Sequence, residues 1–228
     1  MMTTTSILAA TIAAVAAAAL PSSATAATPA PTCTGAPSYL VSFHFRWSQA
    51  THPDSFVPSA HFSPIVVAAH TAAYTMWLPA GYATPGMKDV AETGSTAALS
   101  TSLAEYEAAG HVSSWGTGAP AAVPPFSTET LTVQVNGTSG ASLLSGSSML
   151  APSPDWFVGM SRVELCNGST WLTAARGRLA LVDAGTDSGT TLTAVDVATV
   201  PPTAIREFGA FDFPQLGRGY GTWVAEKI

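Results

Sequence analysis

Residues 151–191 constrain this chain more than any other stretch, because they set carboxylates on tight turns beside segments that must be buried. The stretch opens with Pro152-Ser153-Pro154-Asp155-Trp156-Phe157-Val158-Gly159 and closes with Asp183-Ala184-Gly185-Thr186-Asp187-Ser188-Gly189. Prolines on both sides of Ser153 predict an extended approach to Asp155, and Trp156, Phe157 and Val158 anchor the segment beyond it. At the other end, Leu179, Ala180, Leu181 and Val182 read as a short buried strand that delivers Asp183 to its tip. Asp-Ala-Gly and Asp-Ser-Gly are turn chemistry, so the backbone folds tightly around two acids four positions apart. If the fold joins the two ends, three carboxylates converge, and such a group repels itself unless a cation sits in it. All-oxygen ligands suit a hard ion, Ca²⁺ before Mg²⁺. Plain surface turns are the competing reading of either loop taken alone.

The start of the chain bears on where it works. Residues 7–20 are an apolar, Ala-rich run of signal-peptide length, too short to span a bilayer well. Ala24-Thr25-Ala26 has the form of a cleavage site, although residues 1–6 carry no Lys or Arg. The expected organisation is a signal peptide over 1–26, a flexible Pro- and Thr-rich lead over 27–37 and one domain over 38–228. That makes the product secreted and extracellular, with no transmembrane segment in the mature chain. Only 10% of the residues are charged, the net charge is −6 and there is no basic run, which excludes nucleic acid as a partner. The two cysteines, Cys33 and Cys166, form an even count, which in a secreted chain favours a disulfide; two buried thiols are the alternative.

Hydrophobic alternation carries the fold. Tyr39, Val41, Phe43, Phe45 and Trp47 alternate with Leu40, Ser42, His44 and Arg46, a period-two strand with one strongly apolar face. Residues 51–64 read as a long loop and residues 73–78 as another strand. Residues 87–92 and 96–109 are the helical part, with Leu99, Leu103 and Tyr106 at helical spacing and Gly110 as the stop. Residues 112–125 read as a loop around Trp115. Leu131, Val133 and Val135 alternate, and Asn136-Gly137 signals a hairpin. Further strands are expected at 170–172, 178–182, 190–197 and 221–227. The sum is an all-β antiparallel β-sandwich with a short helical insertion.

At this point the residues resemble the N-terminal spondin domain of the F-spondin and mindin family. The likeness runs in order through Phe45-Arg46-Trp47-Ser48, His52-Pro53, His61-Phe62-Ser63-Pro64, Ala69-His70, Tyr74-Thr75-Met76-Trp77 and residues 86–94. It continues through residues 152–159, Leu165-Cys166, residues 183–189 and the closing residues 222–228. The resemblance implies a C2-like sandwich holding Ca²⁺ in loops at one end, with Asp155, Asp183 and Asp187 as candidate ligands and Cys33–Cys166 as a bridge. It implies a non-enzymatic adhesion or recognition module whose partner is an extracellular-matrix or cell-surface protein or glycan. One departure stands out. The resemblance implies, for some relatives, an acid ligand upstream of the Ser-Pro-Asp-Trp segment, and residues 130–154 contain no Asp or Glu. Gln134, Asn136 or a carbonyl would have to substitute.

Other patterns lead elsewhere. Asp187-Ser188-Gly189-Thr190 fits the aspartic-protease signature, but that chemistry needs a second copy about 3 Å away. Asp183-Ala184-Gly185 lacks the hydroxyl, so a secreted hydrolase using Asp187 is the alternative and not the main reading. A purely structural surface protein that associates with itself is the third reading. The histidines lack zinc spacing, and His70 reads as a hydrogen-bonded structural residue. Asn136-Gly137-Thr138 and Asn167-Gly168-Ser169 are candidate glycosylation sequons. The tryptophans read as core, apart from Trp115.

Overall fold

The computed structural model describes residues 32–209 and 219–228. The expected signal peptide and the first part of the lead lie outside them. In chain order the elements are β1 (Ser38–Phe45), β2 (His61–Phe62), β3 (Val66–His70), α1 (Pro85–Thr93), α2 (Ala97–Ala108), β4 (Val112–Thr117), β5 (Thr128–Gln134) and β6 (Leu143–Ala151). After these come β7 (Trp156–Glu164), β8 (Cys166–Asn167), β9 (Thr170–Trp171), β10 (Ala174–Arg178), β11 (Ala180–Asp183), β12 (Arg206–Glu207) and β13 (Gly221–Lys227). One sheet has the order β10-β13-β1-β5. The larger one runs β12-β11-β7-β6-β3-β4, with β2 joined to β6. Every strand pairing among the described residues is antiparallel.

The alternation in β1 sends Tyr39, Val41, Phe43 and Phe45 into the space between the sheets, where all four are fully buried. They meet Val67, Ala69, Leu144, Val158 and Trp156 from the larger sheet. That sheet is covered on its other face too. Val66, Ala68, Phe157 and Val182 pack under the helices against Met87, Val90, Leu99 and Leu103. The molecule is therefore a sandwich with a third, helical layer, and β6, buried along its whole length, runs through the middle. A strand buried on both faces carries no alternation, which is why Val66-Val67-Ala68-Ala69-His70 gives no period-two signal.

α1 obeys its end signals. Thr84 Oγ1 accepts from the Met87 amide, Pro85 occupies the first turn, and Gly94 closes α1 at φ 72° with its amide on Val90 O. The bridge is Cys33–Cys166, which resolves the two readings of the cysteines.

Several expectations are corrected. Residues 73–78 are an irregular segment and not a strand; Tyr74, Met76 and Trp77 are buried beneath the helices while Ala73, Thr75 and Leu78 are exposed. Residues 112–117 form a strand, β4, paired with β3, so Trp115 lies on an edge strand, its indole donating to Glu107 Oε2 at 2.9 Å. Residues 190–197 form a loop, and Val195 and Val197 are exposed. The Asn136-Gly137 turn forms, closed by a bridge from Asn136 to Ala141, but β5 and β6 on its two sides enter different sheets. It is a crossover and not a hairpin. Pro152 and Pro154 flank a bend, pinned where Ser153 Oγ accepts from the Trp156 amide, in place of the extended approach.

Candidate cation site

The larger sheet brings the two acid-bearing loops together. Strand β11 lies beside the start of β7, with Asp183 opposite Trp156, so the turn before β7 and the turn after β11 are neighbours. Asp155 O accepts from the Ala184 amide at 3.1 Å, which locks the turns to each other.

Asp155 is fully buried. Its Oδ2 accepts from the Thr186 amide at 2.7 Å, the Asp187 amide at 3.0 Å and Thr186 Oγ1 at 3.3 Å. Its Oδ1 is buried and has no hydrogen-bond partner. This carboxyl is raised from 3.8 to about 6, chiefly by burial and in part by the charge of nearby Asp183, against the lowering pull of the Thr186 and Asp187 amides. One half of the side chain is well solvated by backbone dipoles and the other half is not.

Asp183 ends β11. Its Oδ1 accepts from the Gly185 amide at 2.8 Å and its Oδ2 from Arg206 at 3.4 Å. Asp187 turns to its own loop. Its Oδ1 accepts from the Gly189 amide at 2.7 Å and its Oδ2 from the Val197 amide at 2.6 Å, which fastens residues 187–197 into a closed turn. A cleft of about 260 Å³ opens here, lined by Trp156, Asp183, Asp187, Ser188, Thr203 and Arg206 among others.

The test of a cation is whether this donor set suits one. The chemistry fits a hard ion: carboxylate oxygens, one of them buried without a donor, with a second carboxylate close enough to repel it. The count is smaller than the sequence predicts. Among the described residues no three His, Cys, Asp or Glu side chains gather in a metal-holding arrangement. Asp183 acts on Asp155 through its charge, and Asp187 is engaged by backbone. Gln134 donates to Ala36 O, and Asn136 accepts from the amides of Thr138 and Ser139; neither is hydrogen-bonded to the aspartate loops. Arg206 is the participant that sequence reading missed. It reaches Asp183 through a two-residue strand pairing, β11 with β12, that leaves no local signal.

The alternative chemistries find less. The hydrolase reading asks for a perturbed carboxylate in a cleft, and Asp155 is perturbed but sealed, while Asp187 has both oxygens taken by amides. A second arrangement has nucleophile spacing: Ser145 Oγ lies 2.8 Å from His70 Nε2, and His70 Nδ1 lies 2.8 Å from Thr71 O. Both residues are fully buried, and Ser145 Oγ also accepts from the Arg162 amide at 2.9 Å. This is the structural histidine the sequence predicts. Of the two sequons, Asn167 is exposed on the β8–β9 turn and Asn136 has its amide oxygen engaged.

A two-sheet antiparallel sandwich with a helical layer on one sheet, acid-bearing turns at the tip of β11 and one long-range disulfide defines the class. The family model described as Spondin_N matches residues 37–214, and the chain belongs to that family. It is similar to human Spondin-2, 36% identical over 173 residues that make up 74% of this chain and 51% of that protein. Rat Spondin-2 is 35% identical over 78% of this chain and 55% of its own length. Chicken Spondin-1 is 32% identical over 79% of this chain and 23% of its own length. The chain thus spans about half the length of the Spondin-2 relatives. No helix among the described residues is long and apolar enough to cross a membrane.

Proposed function

We propose that this chain is a secreted, non-enzymatic recognition domain of the extracellular matrix or cell surface that binds Ca²⁺ at Asp155 and Asp183, with Asp187 bracing the loop beside them and not ligating the ion as the sequence predicts. The observation that carries the metal is Asp155: a fully buried carboxylate with three donors on one oxygen and none on the other. Family membership supports the extracellular role. In this reading the ion takes the free oxygen of Asp155 together with Asp183 and holds the 183–189 turn against the 152–156 bend. Asp187 keeps the 187–197 loop closed over the cleft, and Arg206 offsets part of the negative charge. A ligand set with so few carboxylates suits the weak end of the range, about 10⁻⁴ to 10⁻³ M, at which extracellular modules bind calcium. Asn167 is the sequon placed to carry a glycan in a host that glycosylates.

Thermal unfolding with millimolar Ca²⁺ and with chelator tests the ion. A ligand at about 100 times its Kd raises stability by about 2.7 kcal/mol. A Ca²⁺-dependent rise that Asp155→Asn loses supports the assignment. Equal unfolding temperatures in both buffers, for wild type and variant, end it, and self-association then becomes the reading to pursue by concentration-dependent sedimentation.

A further inference from the structure

The outer face of the four-stranded sheet carries chemistry that the cation site does not use. The register of β1, β5, β10 and β13 places Thr128, His44, Thr222 and Arg178 in one row across it, and Thr130, Ser42, Val224 and Arg176 in the next. These residues alternate with the buried Val41, Phe43, Trp223 and Ala225, so they point away from the core. Beyond the first row, Arg46 lies against Phe126, its guanidinium 4.7 Å from the ring centre, and Phe126 is 58% exposed. The amides of Phe45 and Trp47 bond to Ser127 O and Pro125 O, so this pair extends the same sheet.

The charge on this face is opposite to that of the molecule. The chain has 8 Lys and Arg against 14 Asp and Glu. Yet three arginines stand here, and the next row adds a single acid, Glu226. Arg176 and Arg178 are exposed and make no ion pair among the described residues. Across the sheet from them stand the exposed hydroxyls of Thr128, Thr130 and Thr222, and His44 Nδ1 sits 2.9 Å from Thr128 Oγ1. A guanidinium binds sulfate or carboxylate through two parallel N–H donors, and an exposed ring supplies a flat platform for a sugar.

We infer that the outer face of the β10-β13-β1-β5 sheet binds an anionic polysaccharide, a sulfated or uronate-rich glycan lying across Arg46, Arg176 and Arg178. A thin polyanion feels only the charges within about one Debye length, roughly 8 Å at physiological salt, and so meets the three arginines with Glu226 beside them, and not the acids elsewhere on the molecule. A planar anionic membrane would meet the field of the whole acidic molecule, and the one aliphatic side chain in the two rows, Val224, is half-buried. The inference rests on the recognition-domain reading and gives it a surface and a ligand class. It uses none of the acids of the cation site, so the two tests fail separately.

The experiment is retention of the full chain on immobilised heparin, run in chelator, with neutral dextran and phosphatidylserine/phosphatidylcholine vesicles in parallel. Wild type is expected to bind heparin and neither alternative. Arg176→Glu with Arg178→Glu should weaken binding by roughly ten-fold or more, since it reverses two of the three cations. Glu226→Gln should tighten it, and Lys88→Glu on α1 should leave it unchanged. If the double variant fails to fold, Glu226→Gln still decides the matter. No retention of wild type overturns the inference. So does equal retention of wild type and a folded double variant, a Glu226→Gln that binds no more tightly, or binding to vesicles in place of heparin.

Discussion

Asp155→Asn is expected to raise stability in chelator and to abolish the response to Ca²⁺, so that one substitution acts with opposite effect in the two buffers. Its carboxyl is raised from 3.8 to about 6 in the fold, chiefly by burial. At about 1.4 kcal/mol per tenfold, keeping it ionised at pH 7.5 costs the folded state on the order of 3 kcal/mol. A second route gives a similar size: a buried, partnerless polar atom costs about 1–3 kcal/mol, and more when charged. Because the folded value lies above the unfolded one, the fold binds the extra proton between pH 4 and 6. The penalty is therefore present above about 6 and is relieved as pH falls toward 4. Asparagine keeps one oxygen for the amides of Thr186 and Asp187 and turns its NH₂ toward the position of Oδ1, in the field of Asp183. A gain of about 2 kcal/mol corresponds to roughly 4–8 °C in a domain of this size. In millimolar Ca²⁺ the wild type should recover by about 2.7 kcal/mol at 100-fold saturation and the variant should not move. Differential scanning calorimetry at pH 7.5 reads all four conditions. A variant less stable than wild type in chelator would refute the argument about the buried oxygen, and a variant with an undiminished Ca²⁺ shift would refute the argument about the ligand.

His70 should act in the opposite direction on the pH axis. Burial lowers its value below 6.5, so its contribution is complete above about 6.5 and is lost as pH falls; urea unfolding of His70→Gln should show a flatter decline between pH 7 and 5 than wild type. Replacing Cys33 and Cys166 by serine opens a loop of 133 residues and should cost about 5 kcal/mol in the chain-entropy model, read as a lower denaturant midpoint. Gly86→Ala would set a methyl 2.7 Å from Leu99 Cα, backbone of the adjoining helix. It should destabilise by about 1–3 kcal/mol despite the better helix propensity of alanine, seen as a lower unfolding temperature.

Legibility in the sequence depended on whether a residue's surroundings are set locally. β1 was legible because one of its faces is core and the other is not. The helical part was legible because Leu99 and Leu103 bury at helical spacing and Gly110, at φ 77°, follows the end of α2, all signals set within a few turns of chain. The acid turns were legible for the same reason, since Asp183 and Asp187 bond to amides two residues on. β3 escaped notice because helices cover one side of it and a sheet the other. The segment around Met76 was misread because it is apolar without being paired. Thr190-Leu192-Ala194 and Val195-Val197 imitate alternation in a loop that no strand joins. The partner of Asp183 in β12 and the bare oxygen of Asp155 depend on contacts many residues apart, and no local pattern encodes them.

The disulfide also decides how this molecule responds to being pulled. β1 and β13 lie side by side and antiparallel, Tyr39 against Lys227, so the start of β1 and the end of β13 sit at the same end of the sheet. Tension entering through the N-terminal side reaches Cys33, crosses the sulfur bridge to Cys166 and continues toward β13. Residues 34–165, which hold β1, both helices and the buried β6, never lie on the load path. Stretching can peel β13 from its neighbours one hydrogen bond at a time and draw out the chain after Cys166, but it cannot unravel the rest. A domain built this way yields under strain by a limited length while the middle of its sandwich stays closed.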